Sequence, residues 1–362
     1  LSNQDAVDAW QKWRVMEDID LLDHSSNRLL PLLYYNLEKH GITDSIMNRY
    51  KGTYKKNWYK NQILFGELRL ILNLLQKEGI DILMLKGAAL LLNTYPTYGL
   101  RPMADLDVLV PSNQISKALK ILKISGWKST VQTSYILSEP SFFSRRKVDS
   151  EYFKVRASTG FRNSARKEFD LHNHAFIPSA SSLYLDEVFW KRAVEIKLSG
   201  DLSVKVLSPT DALLHSLTHG LRRGNVVNLR WVADAHYILQ RHTVDWDLLL
   251  DNAKRLQVTP FVKYGLIYLK ELLDVNMPSQ VLERISKATL TASELEHFES
   301  ENRASGKFAN LRLFWTRNAR IHSDRSGVFI PILFLKYLQR IYLLKHFWQV
   351  PLMVIYKAIR QK

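Results

Sequence analysis

The sequence predicts an α+β protein, with a short-stranded core between helical N- and C-terminal regions. Two observations carry that reading. Apolar residues recur at three- and four-residue spacing up to about residue 76 and again after residue 208. Between these regions lie three short runs, IDILML, DLDVLV and EFDLHNHAF, of strand length and bounded by turn residues.

The elements follow in chain order. Leu29, Leu30, Leu32, Leu33, Tyr35 and Leu37, then Leu64, Leu68, Ile71 and Leu75, trace helical faces. Ile80 to Leu85 is a buried strand that gives way at Lys86-Gly87 to the helical segment AALLLNTY. A loop with Pro96, Gly99 and Pro102 leads into Asp105 to Val110. Its alternation sets Asp105, Asp107 and Leu109 on one face and Leu106, Val108 and Val110 on the other. Pro111 stops that strand, and Ser112 is expected to cap a helix that runs to Ile124 and ends at Gly126.

An irregular stretch of about 40 residues comes next, expected as either a mobile basic loop or a hairpin facing an anion. Between 141 and 167 it carries Arg145, Arg146, Lys147, Lys154, Arg156, Arg162, Arg166 and Lys167 against Asp149 and Glu151. Glu168 to Phe176 alternates again, with Glu168, Asp170, His172 and His174 on one face. After Val204 to Leu207, Ser208-Pro209-Thr210-Asp211 reads as a helix start. The expected divisions are 1–76 helical, 77–207 α/β core, 208–300 helical, and 301–362 a basic, aromatic-rich helical segment.

Composition narrows the chemistry. The 362 residues are 46% hydrophobic, enough for buried cores. Lys and Arg number 51 against 35 Asp and Glu, a net charge of +16 that suits a polyanionic partner. Twelve basic residues face two acids in 301–362, so this segment and 141–167 are the candidates for polyanion contact; the C-terminal stretch suits RNA, an anionic membrane surface or, the leading expectation, packing as a final helical pair with a basic outer face. With no cysteine, disulfides, thiolate metal sites and cysteine nucleophiles are excluded. The opening LSNQDAVDAW lacks the basic and apolar regions of a signal peptide. Val328 to Leu335, interrupted by Pro331, is too short to span a bilayer, so a cytoplasmic location is expected.

Asp105 and Asp107, two residues apart on a strand, project to one side and are able to share a divalent cation. Lys86-Gly87 at a strand-to-helix turn offers backbone N–H groups and a point charge to a phosphate. Asp170, with Glu168 and His172 beside it, supplies a third carboxylate, able to act as general base or to complete a metal site. Neither a Walker P-loop nor G-x-G-x-x-G occurs, and zinc is disfavoured without Cys ligands or H-E-x-x-H. His215 and His219 share a helical face, for which packing is the expectation. Arg222, Arg223 and Arg230 are candidate nucleotide or acceptor contacts, and Trp231 is expected to pack.

Taken together, L-K-G-x-x-L, then YGLRPMADLDVLV, then D-L-H resemble the nucleotidyltransferases of the DNA polymerase β superfamily. The match is to the bacterial group labelled simply nucleotidyltransferase family protein, over roughly residues 1 to 250. The resemblance implies a polymerase β-like core, a small mixed sheet with flanking helices, binding Mg²⁺ (or Mn²⁺) and an NTP co-substrate. By position it makes Asp105, Asp107 and Asp170 the catalytic metal ligands and has Lys86 and Gly87 line the triphosphate. Better-known members have Gly-Ser at the turn; here Lys86-Gly87-Ala88 lacks that hydroxyl, and Arg101 is the candidate substitute phosphate ligand. The implied reaction is NMP transfer to a hydroxyl or phosphate of an unidentified acceptor, releasing pyrophosphate. A kinase on the same scaffold and a non-catalytic nucleic-acid or peptide binder are the alternatives.

Overall fold

The structure, a computed structural model, describes residues 2–16, 21–180, 182–199, 202–222, 229–302, 309–323 and 330–360. Arg223 and parts of the 301–362 segment, Val328 among them, lie outside the described residues. Seven strands form one mixed sheet: β1 (Leu83–Leu85), β2 (Asp107–Leu109), β3 (Lys128–Ser129), β4 (Ser158–Arg162), β5 (Glu168–His172), β6 (Val194–Ser199) and β7 (Leu202–Val206). Their order across the sheet is β3-β4-β5-β2-β1-β7-β6. The centre holds β2 parallel to β5, β1 antiparallel to β2, and β1 parallel to β7.

These central strands are short and buried throughout, every residue of β1 and β2 being enclosed. One apolar core runs from Phe65 to Ile285, across the expected division at 207/208. It joins the sheet to Leu68, Ile71, Leu72 and Leu75 of the helix Met47–Gln76 and to Leu213, Leu214 and Leu217 of the helix Pro209–Gly220. Ser208 caps that second helix, its side chain accepting from the Asp211 N–H, with Pro209 in the first turn, as the sequence indicates. A smaller cluster gathers Trp10, Leu30, Tyr34, Leu37 and Tyr50, and another gathers Phe143, Phe314, Tyr337, Leu338, Ile341 and Met353. No helix among the described residues is long and apolar enough to cross a membrane.

Several local expectations need correction. The helix expected from Ser112 begins only at Ile115, because the Ser112 hydroxyl turns to the Asn173 side chain, 3.4 Å away, and caps nothing. Its end does fall at Gly126, whose φ of +80° suits a residue without Cβ. Of the two expectations for the stretch before Glu168, its end takes the hairpin and not the free loop, and the rest is not irregular. The stretch contains the helices Thr130–Ser138 and Ser150–Phe153 and strand β4, which pairs antiparallel with β5 over five register pairs from Ser158↔His172 to Arg162↔Glu168. Alternation there is hidden because Gly160 occupies a strand position against Asp170. Strand β5 ends at His172, and His174 leaves the expected polar face to pair with Asp186 at 2.5 Å in the interior.

Candidate active site

The site arises from sheet register. Leu85 pairs with Asp107 across β1 and β2, and Asp107 pairs with Asp170 across β2 and β5. Lys86, the residue after Leu85, therefore arrives beside Asp107, and its ammonium donates to Asp107 Oδ1 at 2.5 Å. The same oxygen lies 2.9 Å from His172 Nε2. Asp107, Asp170 and His172 each offer a ligand atom within 4.8 Å of the others, a grouping suited to one divalent cation. His172 Nδ1 is buried with no hydrogen-bond partner, so the ring's polarity is not consumed by the fold on that side.

Electrostatics separate the carboxylates. Burial alone would raise the Asp107 pKa, yet the Lys86 ammonium and His172 hold it well below the usual carboxylate range. Asp170 is pushed up, first by burial and then by the neighbouring Asp107 charge. Asp105, though solvent reaches it, is raised by the partial enclosure of its carboxyl and then by the Asp107 charge. One carboxylate is thus held ionised while its neighbours are biased toward taking a proton.

Asp105, expected on the same strand face as Asp107, is not among the three converging groups, because β2 begins only at Asp107 and Asp105 stands exposed in the loop before it. That loop is pinned from below. Asn61 Nδ2 donates to the carbonyls of Tyr98 at 2.6 Å and Arg101 at 2.9 Å. Arg101 Nε and Nη2 donate to Asp234 Oδ1 and Oδ2 at 2.7 and 2.9 Å, and Tyr95 OH donates to Asp234 Oδ1 at 2.7 Å. Burial would lower the Arg101 pKa, but the Asp234 carboxylate beside it raises it. Expected at a phosphate, Arg101 is instead 5% exposed, with two sides of its fork spent on Asp234. Arg230 and Arg28 crowd the same guanidinium. Arg230 is pushed down to about 10, by burial first and then by Arg101 and Arg28.

The turn itself is shaped for close approach. Lys86 adopts φ +49°, a left-handed conformation that costs a non-glycine residue about 1 kcal/mol or more and that clusters at functional sites. A Cβ on Gly87 would overlap Arg101 Nη1 and meet Met103 Cγ at 3.0 Å. Gly87→Ala is therefore expected to cost about 1–3 kcal/mol through overpacking against a guanidinium that Asp234 holds in place. Urea denaturation checks this, and an unchanged midpoint would show that Arg101 moves aside.

Farther out, His215 is buried, stacks on His219 with ring centroids 5.7 Å apart, and meets Phe176 edge-on at 5.4 Å. Burial and then the Lys86 charge push its pKa down to about 3, so it is a neutral packing group. Trp231 packs against Gly220 and, at 5.7 Å, Tyr268. Sequence reasoning places His172 beside Asp170 and, with His174, in a disfavoured zinc pair; it misses Asp234. The two-residue step from Asp170 to His172 was the available signal for the first; nothing local marks the second.

A family model described as an uncharacterised nucleotidyltransferase matches residues 24–274. Among solved structures, the chain is similar to the crystal structure of an antigenic nucleotidyltransferase-like protein from Paracoccidioides brasiliensis. The identity is 14% and the TM-score 0.35, over 66% of this chain and 96% of that one. No curated protein matches.

Proposed function

The chain belongs to this uncharacterised nucleotidyltransferase family, and from that premise we propose that it transfers NMP from an NTP to a hydroxyl or phosphate of an acceptor, with release of pyrophosphate. The observation that carries the reading is the convergence of Asp107, Asp170 and His172 beside a lysine at a strand-to-helix turn. Two carboxylates and an imidazole fit Mg²⁺ or Mn²⁺, and Asp105, whose pKa responds to the Asp107 charge, would join them from the solvent side. When bound, such a cation supplies charge stabilisation to the phosphates.

The chain's own residues do the rest. Lys86 and the backbone at Gly87 hold the triphosphate, with Arg28 and Arg230 adding positive potential near Asp105. Arg101 positions the Asp105 loop and closes the floor beneath Gly87. The acceptor oxygen forms a bond to the α-phosphorus as the bond from that phosphorus to the β-bridging oxygen breaks. Asp170, biased toward protonation, takes the acceptor's proton where the acceptor is a hydroxyl.

Calorimetric titration with non-hydrolysable NTPs, with and without Mg²⁺ or Mn²⁺, tests the site. Cation-dependent binding of at least one NTP is expected, and failure of every NTP in every condition would sink the proposal. Product analysis with an acceptor pool then separates the chemistries: pyrophosphate is expected, whereas ADP with a labelled γ-phosphoryl group on the acceptor would mean a kinase.

A further inference from the structure

The two basic segments that stand apart in the sequence meet on one surface. Arg146 N donates to the Leu343 carbonyl at 2.6 Å, Lys345 N to the Ser144 carbonyl at 2.9 Å, and Gln349 Nε2 to the Phe142 carbonyl at 3.0 Å. Residues 142–147 are thereby fastened beside the turn that opens the helix Gln349–Arg360.

That helix is apolar on both sides. Its inner side is ordinary core, with Val350 and Met353 buried among Tyr337, Leu338 and Ile341. Its outer side carries Leu352, Ile355 and Ile359, spaced by three and four residues, and Trp348 in the turn just before it continues the same stripe. These four are 41%, 56%, 68% and 58% exposed. Phe142 and Phe347 widen the stripe at its start, the Phe142 ring lying 6.1 Å from that of Trp348. Scattered exposed leucines need no explanation, but an ordered stripe of this length does.

Charge identifies what covers it. No acidic residue occurs between 330 and 360 or between 142 and 147. Lys147, Lys345 and Arg360 are exposed around the stripe. The acids beside this face are already paired: buried Glu139 with Arg145 and, at 2.5 Å, Lys357, Asp149 with Arg146 at 3.8 Å, and Glu151 with Arg340 at 2.6 Å. A second copy of the chain would set like charges face to face. A nucleic acid would use stacked aromatic rings along its path, whereas the rings of Phe142, Phe347 and Trp348 gather at one end and the helix itself presents the aliphatic Leu352, Ile355 and Ile359. Aliphatic side chains flanked by cations and a tryptophan match the acyl boundary and headgroups of an anionic bilayer.

We propose that the face made by residues 142–147 and 345–360 docks the protein on an anionic lipid surface, with Leu352, Ile355 and Ile359 entering the acyl boundary. It acts as a peripheral contact, not a span.

Co-sedimentation of the full chain with phosphatidylcholine vesicles containing about 30% phosphatidylglycerol tests this. Binding is expected, at least about tenfold weaker to pure phosphatidylcholine or when salt rises from about 0.1 M to about 0.5 M. The double variant Ile355→Asp/Ile359→Asp alters exposed positions only. It should keep the wild-type denaturation midpoint while losing about tenfold or more of the vesicle binding. No binding of the wild type to the anionic vesicles, or equal binding by the variant, would overturn the proposal. Sedimentation velocity adds a second arm: a dimer that the variant abolishes would give the stripe to a second copy and overturn it too.

Discussion

Asp107→Asn is expected to lower turnover by about 10³-fold and to remove cation-dependent NTP binding, while the fold persists. The asparagine keeps an oxygen where Asp107 Oδ1 receives Lys86 and His172, so the local hydrogen bonds survive. What disappears is the charge of the carboxylate that Lys86 and His172 hold well below the usual range. Lys86 loses its ion pair but retains access to water, its side chain being 21% exposed, so the cost to stability is small. Calorimetry and a turnover assay read the first effect and a denaturation midpoint the second. Full activity in a folded Asp107→Asn protein would remove Asp107 from the chemistry.

Asp234→Ala should be the most damaging substitution for stability, at about 3–5 kcal/mol, because it leaves the buried Arg101 guanidinium without its counter-charge. It also takes the acceptor from Tyr95 OH, which is enclosed in the same place. The expectation is specific to burial. Removing Asp251, whose pair with Arg255 is about half exposed on both sides, should cost about 1 kcal/mol or less. A double replacement, Arg101→Met with Asp234→Leu, should recover much of the loss, since two apolar groups need no pairing. Urea denaturation of these three variants beside the wild type decides it. Equal midpoints for Asp234→Ala and Asp251→Ala would show that the Arg101–Asp234 pair does not hold the loop.

The sequence is most informative where structure is local. The alternation of DLDVLV and EFDLH, the turn at Lys86-Gly87 and the cap at Ser208 are written in adjacent residues, and β2, β5 and the helix Pro209–Gly220 lie where those signals fall. Asp105 shows the limit of such reading: alternation extends through it, but the strand begins where pairing with Leu85 begins, at Asp107. The partnership of His172 with Asp107 depends on which strands become neighbours, and a parallel β2–β5 pair leaves no mark in either segment. Asp234 is invisible for the same reason, its partner being on the far side of the sheet's connections. The pairing of β6 and β7 is hard to read because KLSGDLSV is mixed in polarity, as suits β6 at the sheet's edge.

The pairings that build the site also bear on how the chain acquires it. Arg101 and Asp234 are 133 residues apart, Gln76 and Ser203 127 apart, and the central β1–β7 contact is parallel. Closing such distances consumes chain entropy before any contact repays it, so folding should be slow, with its barrier dominated by topology. The Lys86–Asp107 pair is expected to form only once β1 and β2 align, and the Asp105 loop to settle once the helix Arg230–Arg241 brings Asp234 to Arg101. A nascent chain that stops short of that helix therefore carries the acidic motif but no competent site. Nucleotide binding during refolding would appear in step with the last global phase, not with the early formation of local helices.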